Sequence, residues 1–129
     1  MKEPIWLQKN VVIAFHGMLL AEHGGLTGMR DEGLLDSALG RPINQFFYES
    51  ANIFELGAAY AWGIARNHPF FDGNKRTVFL SLKTFLARNS ISFHPPKSDA
   101  IHKFFDLAAG DVEEEALAKW IKKFAKIAD

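Results

Sequence analysis

The chain has no cysteine. It can therefore form neither a disulfide nor a thiolate metal site, and a reducing compartment suits it. Neither sign of charge is in excess: 15 Lys and Arg residues balance 15 Asp and Glu, for a formal net charge of zero. That balance argues against a protein held to nucleic acid by bulk positive charge. Long hydrophobic runs are also missing. The longest apolar stretches are broken by His16 and Glu22 or end at Arg66, too short to span a bilayer. Residues Met1 to Asn10 lack the apolar core of a signal peptide. There are no repeats and no low-complexity tracts. A cytoplasmic protein with no membrane and no direct nucleic-acid partner is the expectation.

What the chain does contain is apolar bulk. Of 129 residues 48% are apolar, and 12 are Phe, enough to bury a real core in a single domain spanning residues 1–129. Helical spacing recurs along most of it, so the expected fold class is all-α. After an extended Pro4-Ile5-Trp6-Leu7, the positions Val11, Val12, Phe15, Met18 and Leu19 mark a helix from about Gln8 that Gly24-Gly25 terminates. His16 and His23 read as solvated or core-edge residues rather than ligands. Asp31 is placed to cap a second helix with Leu34, Leu35, Ala38 and Leu39 inward, stopped by Gly40-Arg41-Pro42. A third helix runs from about Asn52 to Asn67, with Phe54, Ala58, Ala61, Trp62 and Ala65 suited to close helix contacts. A fourth starts at about Asn74 and continues through Val78, Phe79, Leu82, Phe85 and Leu86 to near Asn89. Ser90 to Pro96 reads as a connector, Ser98 as the cap of a fifth helix, and Asp111 with Glu114 as a capping box for the last. The acidic start and the Lys119, Lys122, Lys123 and Lys126 end of that helix suit its macrodipole and form a solvated face.

The stretch His68-Pro69-Phe70-Phe71-Asp72-Gly73-Asn74-Lys75-Arg76 fits none of these packing roles. It lies where the third helix ends and the fourth begins, so it is a loop feeding a helix N-terminus in an αα-hairpin. Such a terminus has unpaired N–H groups and a partial positive charge, and it readily holds phosphate. Gly73 permits a left-handed turn and close approach of a ligand. The N–H groups of Gly73, Asn74 and Lys75 can form an anion nest closed by the Arg76 guanidinium. Asp72 offers a hard carboxylate oxygen to Mg²⁺, whose remaining ligands would be phosphate oxygens and water. An imidazole titrates near neutrality, which suits His68 to take a proton from an attacking hydroxyl. Phe70 is expected to anchor the loop in the core. Each residue alone has a bland reading, as a turn or a loop. Lys75 and Arg76 together do not, since two cations in a first helical turn oppose the macrodipole unless an anion compensates them.

These nine residues resemble the signature of the Fic/Doc superfamily, His-Pro-Phe-x-Asp/Glu-Gly-Asn-Gly/Lys-Arg, at every specified position. Lys75 stands where the Doc toxin branch has Lys and the AMP-transferring Fic branch has Gly. Pro69 and Gly73 are the residues typical of the AMP-transferring branch. The resemblance extends to Gly24-Gly25-Leu26-Thr27-Gly28-Met29-Arg30-Asp31, to Leu34-Leu35-Asp36-Ser37-Ala38-Leu39 and to Arg41-Pro42, and weakens after about Pro96.

The resemblance implies a compact Fic/Doc-type helical bundle, with the reactive loop between two central helices. It implies a toxin of a toxin–antitoxin system that uses ATP and Mg²⁺ to phosphorylate a Ser or Thr hydroxyl of a translation factor, elongation factor Tu, and so stops protein synthesis. His68, Asp72, Lys75 and Arg76 would be its catalytic residues. Gly73, Asn74, Lys75 and Arg76 would bind the nucleotide phosphates, and Asp72 the metal. Lys75 fills the room that Gly would leave for the terminal phosphates, and goes with a reversed nucleotide that presents its γ-phosphate. AMP transfer is the alternative, and an inactive interaction module a further one. No stretch fits the self-inhibitory Ser/Thr-x-x-x-Glu-Gly/Asn pattern of Fic proteins, so inhibition is expected in trans from a Phd-type antitoxin. Residues Ile43 to Ser50 resemble the flap that docks the target as an extended strand. Two aromatics plugging the core is the competing reading of that segment. Arg41 is open in the same way, between the active-site phosphates and a structural role.

Overall fold

The computed structural model describes residues 2–127. Among these, α1 (Lys9–His23), α2 (Glu32–Glu49), α3 (Ile53–Asn67) and α4 (Asn74–Arg88) are followed by β1 (Ile91–Phe93), α5 (Lys97–Ala108), α6 (Glu114–Lys123) and β2 (Ala125–Ile127). The fold is mostly helical, in agreement with the all-α expectation. The two short strands pair antiparallel, Ile91 with Ile127 and Phe93 with Ala125. No helix among the described residues is long and apolar enough to cross a membrane.

The position of α3 decides where everything else lies. Leu56, Ala58, Ala59, Tyr60, Ala61 and Ile64 are all buried, so the helix is enclosed on nearly every side. Helices α2, α4, α5 and α6 pack around it. Small residues set how near they come. A Cβ added at Gly63 would lie 3.3 Å from the Ala38 Cα of α2, and one at Gly57 would lie 3.0 Å from Leu82 Cδ1 of α4. The start of α3 is sealed by a capping box. The Glu55 N–H donates to Asn52 Oδ1 and the Asn52 N–H donates to Glu55 Oε1, each at 2.9 Å. Tyr60 accepts a hydrogen bond on its hydroxyl from the Leu7 N–H at 3.1 Å, which ties the N-terminal segment to the core. Burial pushes the Tyr60 phenol up to about 12, although the bond from Leu7 works the other way.

Several boundaries differ from the sequence expectation, and tertiary contacts account for the main one. Helix α2 does not stop at Gly40-Arg41-Pro42 but continues through Pro42 to Glu49. Proline removes one helical hydrogen bond, yet the residues on either side of it are gripped by one carboxylate. Arg41 Nε donates to Glu114 Oε1 at 2.8 Å, and Gln45 Nε2 donates to Glu114 Oε2 at 2.7 Å. The Arg41 guanidinium also lies 4.7 Å from the centre of the Trp62 ring. Arg41 is thus structural. Residues 43–49 are helical rather than an extended flap, with Phe46 packed against the core and Tyr48 exposed.

The capping box expected from Asp111 and Glu114 does not form, because Glu114 serves Arg41 and Gln45 and α6 begins without a side-chain cap. Likewise α5 begins at Lys97 behind Pro96, not at a Ser98 cap. The connector after Asn89 contains β1, and Lys126 belongs to β2 rather than to α6. In α1 the buried face is Val12 and His16, with Met18 exposed. The core-edge reading of His16 holds, and Asp31 caps α2 through the Leu34 N–H as expected.

Candidate active site

Helix α3 ends where His68 turns left-handed, φ 49 and ψ 57, while its N–H still donates to the Ile64 carbonyl at 3.0 Å. Pro69 cannot continue the helix, since it has no N–H to offer. Phe70 then plugs the core at 1% exposure, which is the anchoring expected of it. Gly73, at φ 77 and ψ 13, turns the chain into α4. The Asn74 side chain staples this bend from inside. Its Nδ2 donates to the Phe70 carbonyl at 2.8 Å, and its Oδ1 accepts from the Phe70 N–H at 3.2 Å. The side chain of Asn74 is therefore a brace, and what it offers a ligand is its backbone N–H.

A second layer of support comes from the segment between α1 and α2. Met29 forms an antiparallel bridge with Phe70. The N–H groups of Arg30 and Asp31 both donate to the Pro69 carbonyl, at 2.7 and 3.0 Å. The Arg30 guanidinium donates to the carbonyls of His68 and Asn67, each at 2.8 Å. It thus satisfies the end of α3, offsets the negative pole of that helix, and holds the unusual backbone of His68. So the segment beside the loop is the one around residues 28–31. Residues 43–49, read from the resemblance as an extended flap, are the end of α2 instead.

The start of α4 is the reverse of a sealed end. Its first turn holds no acidic residue and no side chain caps it. Thr77 is the first residue whose N–H reaches back into the bend, to the Gly73 carbonyl at 3.1 Å. The N–H groups before it have no helical acceptor. Lys75 and Arg76 are exposed beside them. No acid lies within the first turn of α4, and the neighbouring anion is the exposed Asp72 carboxylate, which accepts from the Gly73 N–H at 2.9 Å, so the positive pole and its two cations are only partly answered.

His68, Asp72, Gly73, Asn74, Lys75 and Arg76 all line one cavity of about 1060 Å³ between the loop, α4 and α5. A space of that size accepts a nucleotide-sized ligand. On the α5 side Ile101 and Phe105 are exposed, and Lys75 Nζ lies 5.4 Å from the centre of the Phe105 ring. Asp72 is exposed, with Oδ1 accepting from the Gly73 N–H at 2.9 Å and Oδ2 from the Leu26 N–H at 3.3 Å. No group of three or more His, Asp or Glu among the described residues makes a metal cage. One accessible carboxylate beside an uncapped helix start is a donor set that suits Mg²⁺, which takes few protein ligands and keeps its waters and substrate oxygens.

Sequence reasoning identified the motif residues and missed their braces. The role of Arg30 is not legible in its own motif, because its acceptors lie 37 and 38 residues away. Only the tertiary fold shows that pairing.

A mostly helical fold whose exposed loop, between two buried helices, carries this signature defines a class. The chain belongs to the Fic/DOC family, whose model matches residues 6–86. Within it the similarity falls on the Doc branch. A relative from Escherichia phage P1, named protein kinase doc, is 40% identical over 81 residues, covering 62% of this chain and 64% of the relative. A relative from Mycolicibacterium smegmatis, named toxin Doc, is 32% identical over 111 residues, covering 81% of this chain and 84% of the relative.

Proposed function

We propose that this protein is a Doc-type toxin that transfers the γ-phosphoryl group of ATP to a Ser or Thr hydroxyl of a translation factor of the elongation factor Tu class. The observation that carries the reading is the uncapped start of α4. Free N–H groups, Lys75 and Arg76 face the same cavity as His68 and Asp72, with no acidic residue in that first turn. Beyond the single carboxylate of Asp72, the phosphates of ATP supply the negative charge that this turn and its two cations call for. The name of the phage relative, a protein kinase, points the same way.

In the reaction His68 accepts the proton of the target hydroxyl as its oxygen bonds to the γ-phosphorus. The bond from that phosphorus to the β–γ bridging oxygen breaks, and ADP leaves with the electron pair. The Gly73, Asn74 and Lys75 amides and the Arg76 guanidinium stabilise charge on the transferring group. Bound through Asp72, Mg²⁺ would neutralise phosphate charge and help orient the nucleotide. Lys75 lines the cavity with its ammonium over Phe105 on the α5 side, and a side chain there leaves less room for terminal phosphates than the Gly of the AMP-transferring branch would. That placement supports γ- over α-phosphate transfer. An antitoxin acting in trans, of the Phd type, fits the exposed apolar wall formed by Ile101 and Phe105.

The experiment is incubation with elongation factor Tu and ATP labelled at either the α or the γ position. Label transferred from γ alone is the expected result. Transfer from α would assign AMP transfer instead, and transfer of neither would leave a binding module. Lys75→Gly is expected to shift the product toward α-phosphate transfer, and an unchanged product would contradict the steric argument.

A further inference from the structure

His16, on α1, lies 56 residues before the loop residue Asp72 and is 5% exposed. We infer that His16 is a positioning residue that fixes the Asp72–Gly73 peptide, and with it the direction of the Gly73 N–H. The consequence for catalysis rests on the proposed function; the geometric claim does not.

His16 Nε2 lies 2.8 Å from the Asp72 carbonyl oxygen. A carbonyl only accepts, so Nε2 carries the proton and donates it. The ring cannot swing away from this geometry easily. It stacks on the buried Phe70 ring, with centroids 3.8 Å apart and planes 11° from parallel. It also touches the bend itself, since a Cβ added at Gly73 would lie 3.6 Å from His16 Cδ2. In a trans peptide the carbonyl and the following N–H point in opposite directions. Pinning the Asp72 carbonyl to α1 therefore turns the Gly73 N–H away from α1, where Asp72 Oδ1 now accepts it at 2.9 Å.

The segment that follows α1 completes the hold. The Leu26 N–H donates to Asp72 Oδ2, and a Cβ added at Gly25 would come within 2.8 Å of that oxygen. Helix α1 and the residues after it thus hold both the peptide and the carboxylate of Asp72. These are the two features that phosphate and metal recognition would use. A histidine kept only to fill space would need its ring and not its donor.

Two variants separate those roles. His16→Phe keeps an aromatic ring against Phe70 and deletes the donor; His16→Gln keeps an N–H in reach of the carbonyl. In nucleotide-free protein, the Gly73 amide of His16→Phe is expected to exchange with solvent about tenfold faster than in the unmodified chain, with α3 amides unchanged. His16→Gln is expected to stay within about threefold. Unchanged Gly73 exchange in folded His16→Phe would overturn the inference. If that variant does not fold, the nitrogen spectrum of the native imidazole decides: a neutral ring protonated on Nε2 supports the inference, and one protonated on Nδ1 overturns it. In the transfer assay, His16→Phe is expected to lower kcat by about 10- to 100-fold, with recovery in His16→Gln, as for residues that orient a reacting group from behind. Equal kcat in the two variants would remove the catalytic consequence. Absence of transfer by the unmodified chain would instead contradict the proposed function, and amide exchange would still decide the geometric claim.

Discussion

The two helices of the hairpin, α3 and α4, begin in opposite ways. At the start of α3, Asn52 and Glu55 exchange side-chain bonds with each other's backbone N–H groups. At the start of α4, Gly73 has no side chain to cap with, and the first turn carries Lys75 and Arg76 where the macrodipole favours acids. The same rule of helix termini governs both. One end is closed by its own side chains, and the other is left open, as the proposed binding of an anion requires. An unfavourable terminus persists here because the bend around it is over-determined. Phe70, Asn74, Arg30 and His16 each fix a different part of it.

Breaking the open end should destroy activity and spare the fold. His68→Ala is expected to lower phosphoryl transfer by about 10²- to 10⁴-fold, the contribution of a positioned base. Its melting temperature should stay close to that of the unmodified chain, because His68 is exposed. Transfer at the full rate would remove His68 as the base.

The closed side should respond to alkali instead. Tyr60 of α3 ionises at about 12 when folded, against an ordinary value of 10.0. Between those values the unfolded chain loses the proton first, so stability is complete below the lower value and falls as pH rises through the window. The loss should be about 1 kcal/mol between urea melts at about pH 9 and pH 11, about half of the full effect. Tyr60→Phe should flatten that dependence, and a variant that kept it would assign the effect elsewhere. A smaller effect is expected at the cap itself. Asn52→Ala should cost about 1 kcal/mol in a thermal melt while leaving transfer intact.

The smallest expected change is also the most pointed. Lys75→Glu places an acid in the first turn of α4, and the protein should gain about 0.3–1 kcal/mol of stability as the macrodipole is satisfied. Nucleotide binding, followed by calorimetric titration, should be lost in the same variant. A loss of stability together with retained binding would remove the contrast between the two ends.

These contrasts also show which parts of the molecule local pattern could reveal. The bend, its left-handed Gly73 and the boundaries at Asn67 and Asn74 were legible because turn chemistry and helix period are written in adjacent residues. So was the anchoring by Phe70. Pro42 misled because its stop signal is local, while the contacts that carry α2 past it reach Glu114, 73 residues from Arg41. The failed capping box has the same cause, since Glu114 answers that distant arginine. β1 and β2, three residues each, draw their stability from pairing between chain segments far apart and leave no periodic trace. Within the site, residue types point to the chemistry proposed for it. The braces at Arg30 and His16 did not, because a basic side chain reveals its acceptor only once the chain has folded.

The central claim is that the start of α4 receives phosphate. Amide resonances of the ¹⁵N-labelled protein, followed as Mg-ATP is added, test it most directly. The account predicts the largest saturable shifts at Gly73, Asn74 and Lys75, lost in Arg76→Ala. Shifts confined to another surface, or none at any nucleotide concentration, would contradict it.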